Sequence, residues 1–242
     1  YEAFGTDAFD ELYTRYEADE SIPKKQVKAQ ELILDLLKER AETGRIYIMN
    51  IDHCNSHSSF LDKVEMSNLC QEITLPTSPL SHIDGEGEIA LCILSAINVG
   101  KIRSLDELED LCDLAVRGLD ELIDFQRYPI KAAEIATKNR RSLGIGYIGL
   151  AHYLAKNHAS YESPEALPLV HELTEHFQYY LIRSTVNLAK EKGACGYSDR
   201  TKYSQGILPI DTYKKDVDSL VPNNLTLDWE TLREDCFNYG VR

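Results

Sequence analysis

The run Glu88-Ile89-Ala90-Leu91-Cys92-Ile93-Leu94-Ser95 constrains the fold of this chain more than any other stretch. It is apolar at odd and even positions alike, so a strand built from it must bury both of its faces. Such strands belong to parallel sheets, whose crossover connections lay helices over both sides. A second run, Arg45-Ile46-Tyr47-Ile48-Met49-Asn50-Ile51, is rich in β-branched and aromatic residues and predicts another buried strand.

Helical patterns alternate with these runs. Val27, Leu32, Ile33, Leu36 and Leu37 recur at helical spacing between about residues 25 and 43, and Gly44 supplies the stop. Ser104 and Glu107 read as a capping box opening a helix to about Phe125, with Leu108, Leu111, Ala115, Leu119 and Leu122 along its buried stripe. Further helices are expected over 146–156, from Ser163-Pro164 to just before Gly193, and around Trp229, Leu232 and Cys236. No repeat, low-complexity tract or flexible linker interrupts the order, so the expected class is α/β.

The net charge of −14 argues against a nucleic-acid partner, because phosphates would be repelled over most of the surface. No apolar run approaches the length of a membrane span and none resembles a signal peptide. Six scattered cysteines in a chain of this size fit reduced thiols in a cytoplasmic setting better than a disulfide framework. The chain begins at Tyr1 and stops after Gly240-Val241-Arg242, and neither end reads as a natural terminus, so an internal fragment is expected.

Between the two expected strands lies a long stretch, about 53–87, punctuated by Pro76, Pro79, Gly85 and Gly87. Loops of that length are uncommon in ordered domains unless they carry function. Its middle places Asn68, Cys70 and Glu72 at alternate positions. In an extended segment those side chains would share one side and bring an amide, a thiol and a carboxylate together. Such a trio could position a polyhydroxylated substrate, act on it through sulfur and move a proton. On spacing alone, a thiol buried as a small hydrophobe beside two surface polar groups fits better.

The wider motif set separates these readings. Gly44-Arg45-Ile46-Tyr47-Ile48, Asp52-His53-Cys54-Asn55, Ser67-Asn68-Leu69-Cys70-Gln71-Glu72-Ile73 with Leu75-Pro76-Thr77, and Gly87 to Ala96 together resemble the class I ribonucleotide reductase large subunit. Asn139-Arg140-Arg141-Ser142-Leu143-Gly144-Ile145-Gly146 and Gly206-Ile207-Leu208-Pro209-Ile210-Asp211-Thr212-Tyr213-Lys214-Lys215 continue the resemblance in the family's order. Relatives that use adenosylcobalamin or a glycyl radical share the barrel and the finger cysteine, but Ser-Asn-Leu-Cys and the 206–215 run look like class I.

The resemblance implies part of a ten-stranded α/β barrel made of two five-stranded halves, with residues 1–242 in the catalytic barrel domain. A finger loop over about 53–87 would carry the radical cysteine through its centre. It implies that Cys70 forms the thiyl radical that takes hydrogen from the ribose, that Glu72 is the base for the 3′ hydroxyl, and that Asn68 hydrogen-bonds the substrate hydroxyls. Cys92 would be one of two cysteines oxidised to a disulfide at each turnover, its partner lying upstream of Tyr1. The implied substrate is a ribonucleoside diphosphate. The implied partners are the remaining large-subunit segments, a second large subunit, a small radical-generating subunit with its di-metal site and tyrosyl radical, and thioredoxin or glutaredoxin. ATP and deoxynucleotide effectors would bind outside this segment. The isolated chain is expected to be inactive, as a structural piece of the subunit.

Other residues read as structural. His53, Cys54 and His57 lack the paired spacing of a zinc site, and no metal is expected. Cys112 falls on a helix stripe and is assigned to the core, while Cys195 and Cys236 carry no motif. Arg140 and Arg141 could meet substrate phosphates, although salt bridging or packing fits them better. Gly144 and Gly146 suggest a tight entry into the following helix.

Overall fold

The computed structural model describes residues 3, 6–82, 85–220 and 223–242. The chain divides into two units, one made of 1–58 with 64–74, the other of 59–63 with 75–242.

The first unit carries α1 (Ala8–Ala18), α2 (Ala29–Thr43) and α3 (Ile51–His57). The α2 helix stops where its sequence predicts. Gly44 takes a left-handed φ of 65°, and its N–H donates to the carbonyl of Arg40. The strand expected over 45–51 does not form: Ile51 opens α3, and Tyr47 and Ile48 are exposed. β-branched and aromatic residues mark a run that suits a sheet, but a strand exists only where another segment satisfies its backbone groups. No described segment pairs with this one. The 53–87 stretch is also less irregular than expected, since α3 occupies its start.

In the second unit β1 (Leu94–Asn98) is followed by α4 (Glu107–Phe125), α5 (Lys131–Arg140) and β2 (Gly144–Ile148). β1 and β2 pair in parallel, in register from Leu94 opposite Gly144 to Asn98 opposite Ile148. The intervening helices supply the crossover that a parallel pair requires. Then come α6 (Leu150–Lys156), α7 (Ala166–Lys192), α8 (Pro209–Thr212) and α9 (Trp229–Tyr239).

The apolar run at 88–95 yields a strand shifted toward its C-terminal end. Glu88 instead makes an isolated antiparallel bridge with Ser78. Only one face of β1 is covered: Ile93 and Ile97 are buried, while Leu94 is 55% exposed. The helix expected over 146–156 divides at Gly149, with strand before it and α6 after it. Gly149 has φ of +81°, and a Cβ there would lie 2.5 Å from Asn98 Oδ1, so the strand-to-helix turn requires glycine. The capping box at α4 also differs. Glu107 accepts from the backbone N–H and the guanidinium of Arg103, and no side chain caps the helix start.

α7 is the central helix. Leu173, Phe177, Ile182, Val186 and Leu188 are buried on several sides of it, and it packs against α4 and α9. The core joins Leu173, Phe177, Ile182 and Val186 to Leu108 and Cys112 of α4, Leu154 of α6, and Trp229, Leu232 and Cys236 of α9. Each fully buried aliphatic side chain contributes about 1.5–3 kcal/mol. Glu175, also buried on α7, accepts from the backbone N–H groups of Thr226 and Leu227, from the Thr226 hydroxyl and from the Trp229 indole. It thereby ties the segment leading into α9 to the central helix.

Candidate functional site

The loop 64–74 is closed by short polar contacts. Val64 anchors its start: its N–H donates to Asn55 Oδ1 at 2.8 Å, and its carbonyl accepts from Asn55 Nδ2 at 2.9 Å. At the other end two side chains converge on the backbone of Ile73. Ser67 Oγ donates to the Ile73 carbonyl at 2.6 Å, and Asn68 Oδ1 accepts from the Ile73 N–H at 3.1 Å. Between them the N–H of Gln71 donates to the Asn68 carbonyl at 3.1 Å, and Gln71 adopts a φ of 61°. A left-handed conformation in a residue with a Cβ costs about 1–2 kcal/mol, so the surrounding contacts must hold it.

This geometry replaces the extended segment that the alternation of Asn68, Cys70 and Glu72 suggests. The chain turns at 68–71, so alternate positions do not share a side by strand pleating. Leu69, at 83% exposed, and Cys70 occupy the turn, and Glu72 is exposed just after it. Asn68 is half-buried, with its carbonyl oxygen engaged inside the loop. Its NH2 group is the part suited to donate to a ligand.

Cys92 stands just before β1 in the second unit and is exposed. The buried Ile93 separates it from Leu94, so it continues the uncovered side of β1. The carbonyl of Ile93 accepts from the N–H of Gly144, which extends the β1–β2 pairing to Ile93, next to Cys92.

Arg140 and Arg141 are fully engaged by carboxylates. Arg140 is bidentate to Glu88, with Nε 2.5 Å from Oε2, and its Nη1 lies 2.8 Å from Asp62. Arg200 also bonds Asp62, and both guanidinium groups lie over the Tyr197 ring. Burial works against the Asp62 charge, but the Arg200 and Arg140 guanidinium groups outweigh it and hold the carboxyl below its usual range. Arg141 bonds the buried Asp120 and the half-exposed Asp124, and Arg242 bonds Asp120 as well. Packing and ion pairing thus account for the two arginines. Sequence reasoning missed their acidic partners, and Glu175 with them, because no local spacing links residues so far apart in the chain.

Cys112, Cys195 and Cys236 are buried, and burial pushes the Cys112 and Cys236 thiols up to about 12. Cys112 therefore occupies the core position its helix stripe predicts. Among the described residues no three histidine, cysteine, aspartate or glutamate side chains are grouped to hold a metal ion, and no helix is long and apolar enough to cross a membrane.

The family model for the ribonucleotide reductase barrel domain matches residues 1–242. The ribonucleoside-diphosphate reductase subunit alpha of Haemophilus influenzae is 57% identical over 248 residues, covering 100% of this chain and 33% of the relative. Subunit alpha of ribonucleoside-diphosphate reductase 1 from Escherichia coli K12 is 53% identical, again over 100% of this chain and 33% of its own length. The enterobacteria phage T4 subunit alpha is 43% identical over 98% of this chain and 31% of the relative. The chain thus spans about a third of the length of the curated relatives it matches.

Proposed function

This chain belongs to the ribonucleotide reductase barrel-domain family, and on that premise we propose that it serves class I reduction of ribonucleoside diphosphates to deoxyribonucleoside diphosphates. The observation that carries the reading is the closed 64–74 loop, which sets a thiol at an exposed turn with a carboxylate two residues on and an amide at its base.

In this reading Cys70 is the thiyl radical that takes hydrogen from the ribose 3′ carbon. Glu72 accepts the 3′ hydroxyl proton, which favours departure of the 2′ hydroxyl as water. Asn68 donates through its NH2 to the substrate hydroxyls and steadies the developing ketone. Cys92 and a second cysteine outside this chain supply the two reducing electrons and become a disulfide. A di-metal small subunit with a tyrosyl radical generates the Cys70 radical, and a thioredoxin or glutaredoxin dithiol reduces the disulfide. The assembly pairs two large subunits and works in the cytoplasm.

The barrel is the finer structural part of the proposal. β1 and β2 each keep one edge unpaired among the described residues, which supports a sheet continued by strands from the rest of the subunit. Loop 64–74 would be the working end of the finger in the ten-stranded barrel. On its own this chain supplies no nucleotide reduction, because the second redox cysteine lies elsewhere.

The test is deoxynucleotide formation by the full-length large subunit with its small subunit. Cys70→Ser is expected to reduce turnover to background while leaving nucleotide binding intact. Turnover at the normal rate in that variant would remove Cys70 from the chemistry.

A further inference from the structure

We propose that Ser67 is a positioning residue, which together with Asn68 Oδ1 clasps the Ile73 peptide and thereby fixes the turn that presents Cys70. The proposal rests on the functional reading above and adds to it a residue that does not touch the substrate.

Both polar groups of one residue are captured by two consecutive side chains from the opposite limb of the loop. Ser67 Oγ holds the Ile73 carbonyl at 2.6 Å, and Asn68 Oδ1 holds the Ile73 N–H at 3.1 Å. Ser67 Oγ also lies 3.3 Å from Asn68 Oδ1, but its one proton serves the shorter contact to Ile73. The loop between them contains a non-glycine residue at φ 61°, a conformation that the unconstrained chain would leave. The clasp spans the six peptide links from Ser67 to Ile73 and encloses Cys70 at its middle. Without it the turn relaxes and the thiol samples a wider arc, which reactions between closely placed atoms do not tolerate.

A second consequence concerns Asn68. An N–H can be bonded only by an acceptor, so the contact with Ile73 fixes which way the amide faces. Its oxygen is committed to the loop and its NH2 group is turned to other partners. Asn68 therefore presents its NH2 donors to a substrate.

The clasp is tested in the full-length large subunit with its small subunit, using Ser67→Ala, Ser67→Thr and the Cys70→Ser control. Hydrogen exchange over 67–74 is followed alongside kcat and KM. Loss of one hydrogen bond corresponds to roughly a fivefold change in a local equilibrium. Ser67→Ala should therefore speed exchange at the Ile73 amide by about fivefold and lower kcat by at least that factor, with KM nearly unchanged. Ser67→Thr keeps the hydroxyl and should restore both. Wild-type kcat and exchange in Ser67→Ala would overturn the clasp, as would a Ser67→Thr protein as slow as Ser67→Ala. If Ser67→Ala does not purify as a folded protein, Ser67→Cys, a weaker donor, should give an intermediate kcat, and a wild-type value there overturns the proposal. Normal turnover in Cys70→Ser brings down the functional reading itself. A dead Cys70→Ser beside an unaffected Ser67→Ala brings down the clasp alone.

Discussion

Replacement of Glu175 tests a buried carboxylate that accepts four hydrogen bonds in the core of the second unit. Its Oε1 accepts from the Thr226 N–H at 2.7 Å, the Leu227 N–H at 3.0 Å and the Trp229 indole at 3.1 Å, and its Oε2 accepts from the Thr226 hydroxyl at 3.0 Å. Truncation to alanine strands three N–H donors. At the low end of about 1–3 kcal/mol for each unsatisfied buried donor, Glu175→Ala should cost roughly 3 kcal/mol. Glu175→Gln keeps one carbonyl oxygen for those three donors and turns its NH2 toward the Thr226 hydroxyl. It exchanges charged for neutral bonds and should cost only about 1–2 kcal/mol.

The pH dependence has a definite sign. Burial raises the Glu175 pKa, but the Leu227 and Thr226 amides and the Trp229 indole outweigh it and leave the carboxyl below its usual range. A depressed folded value stabilises the protein above the unfolded pKa of about 4.3, and that contribution is lost as pH falls through the folded value. The stability gap between the wild-type and Glu175→Gln proteins should be full at neutral pH and narrow below about pH 4. Trp229, the single tryptophan and a buried one, reports the transition by fluorescence in urea. Equal urea midpoints for wild type and Glu175→Ala at neutral pH would refute this account of the node.

Two more perturbations probe the second unit. Arg141→Ala removes one of two arginines on the buried Asp120 and should cost about 3 kcal/mol in urea unfolding, the low end for a broken buried pair, because Arg242 stays bonded to Asp120. Arg141→Lys should recover only part of this, since an ammonium cannot reproduce the fork to Asp120 and Asp124. Gly149→Ala should lower stability by about 1–3 kcal/mol through its positive φ and the approach to Asn98 Oδ1. Asn98→Ala in the same chain should relieve the clash but not the backbone strain, so thermal melts should show a partial rescue.

Helix periodicity, glycine stops and the core were legible wherever the controlling interactions are local. The stop of α2 at Gly44, the helix ending at Phe125 and the core place of Cys112 follow from residues a few positions apart. The end-to-end motif order also carried the family without any geometry, because a series of short matches along one chain does not depend on how they pack. Strands were another matter. The 45–51 run has the composition of a strand and no partner among the described residues, and the 144–148 run, lean in side chains, becomes one because β1 lies beside it.

At the candidate site, residue order alone sets which groups are present: an amide, a thiol and a carboxylate within five residues. How they face depends on contacts in the folded loop. The hydrogen bonds to Ile73 bend the loop and override the alternation that an extended chain would impose. The partners of Arg140, Arg141 and Glu175 were decided there too, because an ion pair or a buried hydrogen bond depends on distance in space, which residue spacing does not record.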